Sequence, residues 1–233
     1  METTEPIKEP APLEIANSYG QNRMEAKNIE QKKSLTGPGK VTNPAVIEAF
    51  KNIRREDFVP PNVQELASLN DALPIGYNQT ISQPLVVGFM LELLEPKRGE
   101  RILDIGAGSG WTCALLSHIV GKEGKVIALE IIPELAEFGK KNVAKYSFIE
   151  KGIANYLCQD ASRGYSLEAP YDGILVSASL SKKELPRAWR EQLKTGGNIV
   201  VPIQESIWVF TKKSKTEFKE QEYPGFVFVP FVS

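Results

Sequence analysis

Apolar runs alternate with segments of helical periodicity from Arg101 to the end of the chain. The runs RILDI, KVIALE, ANYLCQD and YDGILVSA are typical of strands, and WTCALLSHIV, PELAEFGKKNVAKY and LPRAWREQL are typical of helices. Three more strand-like runs follow: GGNIVVPI, SIWVFTKK and GFVFVPFV. Alternating strands and helices indicate a parallel sheet with crossover helices, whereas strands without an intervening helix favour antiparallel pairing. The pattern predicts an α/β fold with a mostly parallel, twisted sheet of about seven strands and an antiparallel C-terminal strand pair.

The segment before this sheet has helix signals. In TNPAVIEAFKNI, Thr42 or Asn43 can act as an N-cap, and a proline follows in the first turn. Ser82 resembles a second N-cap because Pro84 follows it, in the first turn of another apolar helix. These signals predict an N-terminal helical extension over residues 41–98.

The domain boundaries follow from the same pattern. Residues 1–40 are polar, with scattered lysines and the turn-like TGPGK, and are predicted to be a flexible tail. Residues 41–233 are predicted to form a single domain. Within it, 41–98 would be a helical segment on one side of the site, and 99–233 the α/β core.

Composition restricts the possible partners. The 233 residues are 42% hydrophobic, enough for a sizeable core, and the net charge of −1 does not favour binding to nucleic acid or an anionic membrane. The single histidine, His118, argues against a histidine metal site or a Ser-His-Asp relay. Cys113 and Cys158 are expected to be reduced core residues. No secretory signal or membrane span is evident, so we expect a cytoplasmic protein. We also expect a monomer, without a metal.

A glycine loop, DIGAGSGW, follows the first strand of the core and opens a helix. Gly106, Gly108 and Gly110 allow a tight turn and close approach to a ligand. The dinucleotide fingerprint requires glycine where Trp111 stands, which disfavours a pyrophosphate site. Asp104, at the end of the strand, is expected to point into the cleft where α/β sheets bind ligands.

Two more acids end the next two strands. Glu130 can accept hydrogen bonds from both ribose hydroxyls of a nucleoside, and Asp160 could meet an adenine edge. Three carboxylates around a cleft would repel a phosphate but suit a cation. S-adenosyl-L-methionine, a nucleoside that carries a sulfonium and an ammonium, therefore fits better than NAD.

The stretch ALPIGYNQTISQP, from Ala72 to Pro84, is polar but uncharged. With EAFKNIRREDFVP, ILDIGAGSG, APYDGILV, EQLKTGGNIVVPI and FVFVPFV, it makes the chain from about Asn43 to its end resemble the protein-L-isoaspartate O-methyltransferase family. The most specific match is LPIGYNQTISQP, because a generic methyltransferase would share the glycine loop but not this segment.

The resemblance implies a Rossmann-like class I methyltransferase fold and methyl transfer from S-adenosyl-L-methionine to the α-carboxyl of L-isoaspartyl residues in damaged proteins. It places Thr80, Ile81 and Ser82 beside the methyl donor, with Ser82 as the catalytic residue. A carboxylate acceptor with a pKa near ~4 is already ionised at neutral pH, so no general base is needed. The candidate cofactor-binding residues are Gln79, Thr80, Ile81, Ser82, Asp104, Gly106, Gly108, Gly110, Glu130, Ile131, Asp160 and Ala161.

Three departures from the family pattern bear on the methyl acceptor. The usual Gly-Asp-Gly after the third core strand is Gln-Asp-Ala at residues 159–161, and the usual Ala-Tyr-x-Asp is Ala-Ser-Leu-Asn at residues 67–70. The loop VSASLSKKELP is longer and more polar than usual. These departures leave two alternatives: a related methyltransferase for another peptide or small-molecule carboxylate, and a non-catalytic adaptor that binds the cofactor. An NAD oxidoreductase is the weakest alternative because of Trp111.

Overall fold

The computed structural model describes residues 41–232, and the tail predicted for residues 1–40 lies outside the described residues. The α-helices are α1 (Pro44–Asn52), α2 (Pro84–Leu94), α3 (Trp111–Val120), α4 (Pro133–Ala144) and α5 (Arg187–Gln192). Short 3-10 helices cover Arg55–Phe58, Pro61–Leu66 and Ser166–Glu168. The strands are β1 (Leu73–Gly76), β2 (Gln79–Ile81), β3 (Arg101–Ile105), β4 (Lys125–Glu130), β5 (Ala154–Cys158), β6 (Tyr171–Val176), β7 (Leu193–Ile203), β8 (Ser206–Lys212) and β9 (Phe218–Pro224). None of the described helices has the length and hydropathy to span a membrane.

The main sheet has seven strands in the order β5-β4-β3-β6-β7-β8-β9. The five strands β3 to β7 are parallel to one another, whereas β8 pairs antiparallel with β7 and β9 pairs antiparallel with β8. Alternate strand residues enter two hydrophobic clusters. Ile102 lies in the cluster that also contains residues of helices α1 to α4, and Leu103 lies in the cluster around Trp189 of α5. The predicted α/β fold with an antiparallel C-terminal pair is confirmed.

The prediction that the last strand is GFVFVPFV is wrong. Strand β9 is formed by FKEQEYP, before the apolar run GFVFVPFV at residues 225–232. An edge strand needs main-chain pairing more than apolar side chains, and most of β9 is exposed. The apolar run instead crosses back over the sheet. The main chain of this run bonds to the main chain of Ser179. The Ser179 amide donates to the Val229 carbonyl, and the Ser179 carbonyl accepts from the Phe231 amide.

The two predicted helix caps have different outcomes. Asn43 caps α1 through its side chain, as expected. Ser82 does not cap α2: the N-cap position is Gln83, and its side chain makes no capping bond. The side-chain oxygen of Asn70 accepts from the Leu85 amide at 2.9 Å instead. A partner fifteen residues upstream therefore replaces the local cap.

The two cysteines differ in burial. Cys113 in α3 is buried, as expected, but Cys158 is exposed. Cys158 is the last residue of β5, which lies at the edge of the sheet and so lacks a covering strand on one side. Neither cysteine forms a disulfide within the described residues.

One buried cation shapes the segment that leads into α2. Arg55 is 6% exposed, and its guanidinium lies 5.3 Å from the centre of the Trp111 ring. Its two terminal nitrogens donate to the backbone carbonyls of Ala67, Leu69, Asp71, Ile81 and Ser82. Burial lowers the pKa of Arg55 to about 10, so the group stays charged at neutral pH. This guanidinium links both ends of the segment 67–82.

We expect Arg55→Met to lower the free energy of unfolding by about 3–5 kcal/mol, because five buried or half-buried carbonyls lose a charged donor. Arg54→Met is the matched control, since the Arg54 side chain is exposed and pairs with the neighbouring Glu56. Urea unfolding measures both. A loss for Arg55→Met no larger than that for Arg54→Met would show that the guanidinium does not hold this segment.

Candidate active site

A cavity that is open to solvent lies beyond the carboxyl ends of β3, β4 and β6. Strand order reverses here, because β4 lies on one side of β3 and β6 on the other. Open α/β sheets bind ligands at such a switch point. The walls come from the β1–β2 hairpin and Ser82, the glycine loop, the residues after β4, β5 and β6, and the C-terminal segment.

The glycine loop forms the floor of the cavity with residues 106–109. Gly110 has φ of 90°, in the region that side chains rarely adopt, and a Cβ there would lie 2.8 Å from the Gly139 carbonyl oxygen. Gly108 also has a positive φ, of 54°. Gly106 and Gly108 line the cavity, whereas Gly110 starts α3 behind it. The loop therefore takes this path because glycine stands at these positions.

Glu130 holds the loop and the start of the next one. It is 7% exposed and lines the cavity, as does Ile131. Its Oε2 accepts from the Gly108 amide at 2.8 Å, and its Oε1 accepts from the amides of Ile131 and Ile132. A carboxylate has about four acceptor positions, so one remains on Oε2. In this arrangement, Glu130 has room for one ribose hydroxyl rather than two.

Asp104 lies behind the cavity wall. It is fully buried, its Oδ2 accepts from the Thr112 hydroxyl at 2.7 Å, and its Oδ1 has no partner among the described residues. Burial raises its pKa from 3.8 to about 7; the Thr112 bond opposes the shift, and the charge of Glu130 adds to it. Asp104 does not line the cavity, but Thr112 does. A buried carboxylate with a free oxygen can respond to a cation placed nearby.

Asp160 lies farther from the cavity than the sequence suggests. Its carboxylate is exposed and accepts from the amide and the hydroxyl of Ser162, both at 2.8 Å. Its neighbours Gln159 and Ala161 line the cavity, and Asp160 does not. A local turn engages this carboxylate, because Ser162 stands two residues beyond it.

Ser82 lies on the opposite wall, immediately after the hairpin. It is half-buried, and its carbonyl accepts from Arg55, but its hydroxyl bonds to no described residue. Gln79, Thr80 and Ile81 line the same wall. The hairpin turns at Tyr77 and Asn78, which both have positive φ. The uncharged stretch therefore forms a wall of the cavity, and it carries a hydroxyl that is free to bind a ligand.

The charge inside the cavity is simple. Glu130 is the only charged side chain among the described residues that line it, and the other polar side chains are hydroxyls and amides. Carboxylates without a compensating cation favour a cationic ligand. An anionic group in the same cavity would have to be bound by neutral hydrogen-bond donors or by a positive charge on a ligand that is bound with it.

Part of the walls comes from residues that were not among the candidate site residues. Trp111 packs at an angle of 69° against Phe50 and lines the cavity. Ser177 and Ala178 follow β6, and residues 229–232 complete the opening. Pro230 was an available signal, because proline within an apolar run argues against an internal strand.

Solved structures with this fold include protein-L-isoaspartate O-methyltransferases. One has a TM-score of 0.75 and 26% identity; the match covers 88% of this chain, and the chain spans 64% of that one's length. A protein from Plasmodium falciparum assigned to the same activity, solved with S-adenosyl-L-homocysteine, has a TM-score of 0.74 over 88% of this chain and 95% of its own. Its 20% identity shows the fold alone. These similarities confirm the Rossmann-like class I methyltransferase fold.

Sequence comparisons agree. The model of the family "Protein-L-isoaspartate(D-aspartate) O-methyltransferase" matches residues 26–233. A protein-L-isoaspartate O-methyltransferase of Methanopyrus kandleri is 38% identical over 88% of this chain and 89% of its own length. One from Archaeoglobus fulgidus is 44% identical over 69% and 72% of the two chains. This chain therefore belongs to the protein-L-isoaspartate(D-aspartate) O-methyltransferase family.

Proposed function

We propose that this protein transfers the methyl group of S-adenosyl-L-methionine to the α-carboxyl of L-isoaspartyl residues in damaged proteins. The ester formed in this way can collapse to a succinimide, which can reopen to normal aspartate. One observation carries the proposal. A single cavity holds the free hydroxyl of Ser82 and the Glu130-bound glycine loop, and no cationic side chain among the described residues lines it. Family membership supports the same reaction.

The residues of the cavity fit S-adenosyl-L-methionine. The free acceptor position on Glu130 suits a ribose hydroxyl, and the unpartnered buried oxygen of Asp104 suits the influence of a cation. We propose Gln79, Thr80, Ile81, Ser82, Gly106, Gly108, Glu130, Ile131 and Ala161 as contacts. Asp104 and Gly110 would act from behind the cavity wall, and the exposed Asp160 from its position between two lining residues.

When bound, the cofactor supplies a methyl group on a positively charged sulfur. The protein has to place the acceptor carboxylate in line with that methyl and keep bulk water away. We propose that the Ser82 hydroxyl donates to the acceptor carboxylate and fixes its direction. Because the reaction cancels two opposite charges, fixed neutral dipoles in place of bulk water favour it. No side chain needs to remove a proton from an ionised carboxylate.

The unusual residues of the polar loop after β6 do not change the walls of the cavity, which removes the ground for another carboxylate acceptor. Its unusual residues, 181–184, are exposed and do not line the cavity. Lys183 lies 3.7 Å from the centre of the Trp208 ring on β8 and pairs with Glu220 on β9. Only Ser177 and Ala178, at the start of the loop, reach the cavity. The departure in sequence is therefore placed on the outer surface.

Several finer expectations remain proposals. We propose a monomer. The near-neutral charge supports the proposal that it binds neither nucleic acid nor an anionic membrane, and the two free cysteines support a reducing, cytoplasmic location. We also propose a single domain from Val41 onward. The family match begins earlier, at residue 26, inside the predicted tail.

The direct test offers the protein tritiated S-adenosyl-L-methionine and two peptides that differ only in aspartate or isoaspartate. We expect base-labile methyl ester on the isoaspartyl peptide alone, because the β-linked residue presents its α-carboxyl as a free group. Equal labelling of both peptides would support another carboxyl methyltransferase. Cofactor binding without labelling of either would support the adaptor alternative.

Ser82→Ala separates chemistry from folding. Because Ser82 does not cap α2, we expect its loss to leave the melting temperature nearly unchanged. Removal of one positioned donor should slow kcat by about tenfold to a thousandfold. Ser181→Ala, in the exposed loop, is the matched control. Turnover of Ser82→Ala at the parent rate would exclude the hydroxyl from the reaction.

The raised pKa of Asp104 leads to a prediction about the pH dependence of cofactor binding. Its pKa is raised to about 7 in the folded protein, so its contribution to stability falls as the pH rises from about 4 to 7. A nearby cation would favour the ionised form. We therefore expect S-adenosyl-L-methionine affinity, relative to that of Asp104→Asn, to rise by about tenfold between pH 5.5 and 8 in calorimetry. The variant corrects for titration of the ligand itself, and a ratio independent of pH would show that Asp104 does not sense the cation.

A further inference from the structure

The glycine loop is held from the side that faces away from the cavity. The Tyr156 hydroxyl donates to the Gly108 carbonyl at 2.7 Å, and the Asn142 side-chain amide donates to the Ser109 carbonyl at 3.1 Å. On the other side, Glu130 accepts from the Gly108 amide. Two consecutive residues of the loop are thus fixed through their main-chain groups by side chains from α4, β4 and β5.

These two side chains do not belong to the cavity. Tyr156 is 4% exposed and Asn142 is 2% exposed, and neither lines the cavity. They cannot touch a bound ligand directly without rearrangement. Their influence on the site has to pass through the loop.

We propose that Tyr156 and Asn142 are positioning residues, which set the direction of the Gly108 and Ser109 peptide groups and so determine cofactor affinity. The proposal rests on the proposed function only for the identity of the ligand. The geometry of the loop is independent of it.

Two features keep these donors in place. Burial raises the pKa of Tyr156 well above its ordinary value, so the phenol keeps its proton throughout the physiological range. The Lys145 ammonium donates to Asn142 Oδ1 at 2.9 Å. This bond defines which end of the amide is the oxygen and leaves the NH₂ group for the Ser109 carbonyl. Both side chains therefore act as donors with a fixed direction.

Gly139 makes this arrangement possible. A Cβ at Gly139 would overlap the Tyr156 hydroxyl and lie 2.6 Å from the Gly108 carbonyl oxygen. The close approach of α4, the tyrosine and the loop therefore requires a residue without a side chain here. This glycine lies outside the glycine loop, on a helix where its low helical propensity is otherwise a disadvantage.

The physical consequence is preorganisation. A residue held at both its N–H and its C=O, as Gly108 is, has fewer orientations to lose when a ligand binds, so less of the binding free energy is spent on ordering. The effect falls on cofactor affinity. Once the cofactor is bound and the loop is ordered, the rate of methyl transfer should change little.

Tyr156→Phe tests the proposal, with Tyr146→Phe as the matched control. The Tyr146 hydroxyl is hydrogen-bonded as well: it donates to Asp57 and accepts from the Arg54 amide. It does not contact the glycine loop. The first measurement is hydrogen exchange of the loop amides without any cofactor. The second is the dissociation constant of S-adenosyl-L-homocysteine by calorimetry, and the third is kcat at saturating S-adenosyl-L-methionine.

For Tyr156→Phe, we expect faster exchange in residues 106–110 and affinity weakened by about threefold to tenfold, with kcat within about twofold of the parent. Gly139→Ala should act in the same direction and more strongly. Tyr146→Phe should leave loop exchange and affinity unchanged, whatever its effect on melting temperature. Parent-like exchange and affinity in Tyr156→Phe would overturn the proposal, as would a fall in kcat without a change in affinity. Exchange measured without cofactor tests the loop even if the proposed function is wrong.

Discussion

The buried guanidinium of Arg55 is the interaction on which the acceptor side of the site depends. The segment 67–82 contains only a short hairpin of regular structure, so many of its carbonyls need partners from elsewhere. A planar cation with several donors can bind carbonyls from different parts of the chain at once, and Arg55 binds five. Because two of these carbonyls belong to Ile81, the last residue of β2, and to Ser82, the same group places the Ser82 wall. Its contact with Trp111 joins that wall to the helix that begins at the glycine loop.

The electrostatics of the cavity complement this arrangement. The Arg55 guanidinium is buried behind the wall and directed at main-chain oxygens, while Glu130 lines the cavity and Asp104 lies just behind. A positively charged methyl donor is therefore favoured, and its own charge is available to attract the acceptor carboxylate. A lysine or arginine in the cavity would compete with that attraction. The neutral hydroxyls and amides can orient an anion without cancelling the charge of the donor.

Departures from the family pattern change supports and surfaces more than the cavity. Asn70, which stands where the family usually has an acid, caps α2 through its side-chain oxygen, a role that a carboxylate can also perform. Residues 181–184 extend over the outer face of β8 and β9. Ala161, in place of the usual glycine, still lines the cavity. The sequence differences that raised doubt about the acceptor are therefore compatible with the usual site.

The sequence by itself determined the features that depend on local pattern. Strand and helix periodicity gave β3 to β8 and their crossover helices, and the glycine loop with Glu130 at a strand end located the cavity. Tertiary structure decided whatever depends on distant partners. Asn70, fifteen residues upstream of Leu85, replaced Ser82 as the cap of α2. The end of the apolar run, residues 229–232, became a wall, because β9 fills the edge of the sheet through its main-chain pairing with β8. Hydrogen bonds satisfied across long separations leave no periodic trace in a sequence, and so only the folded chain shows them.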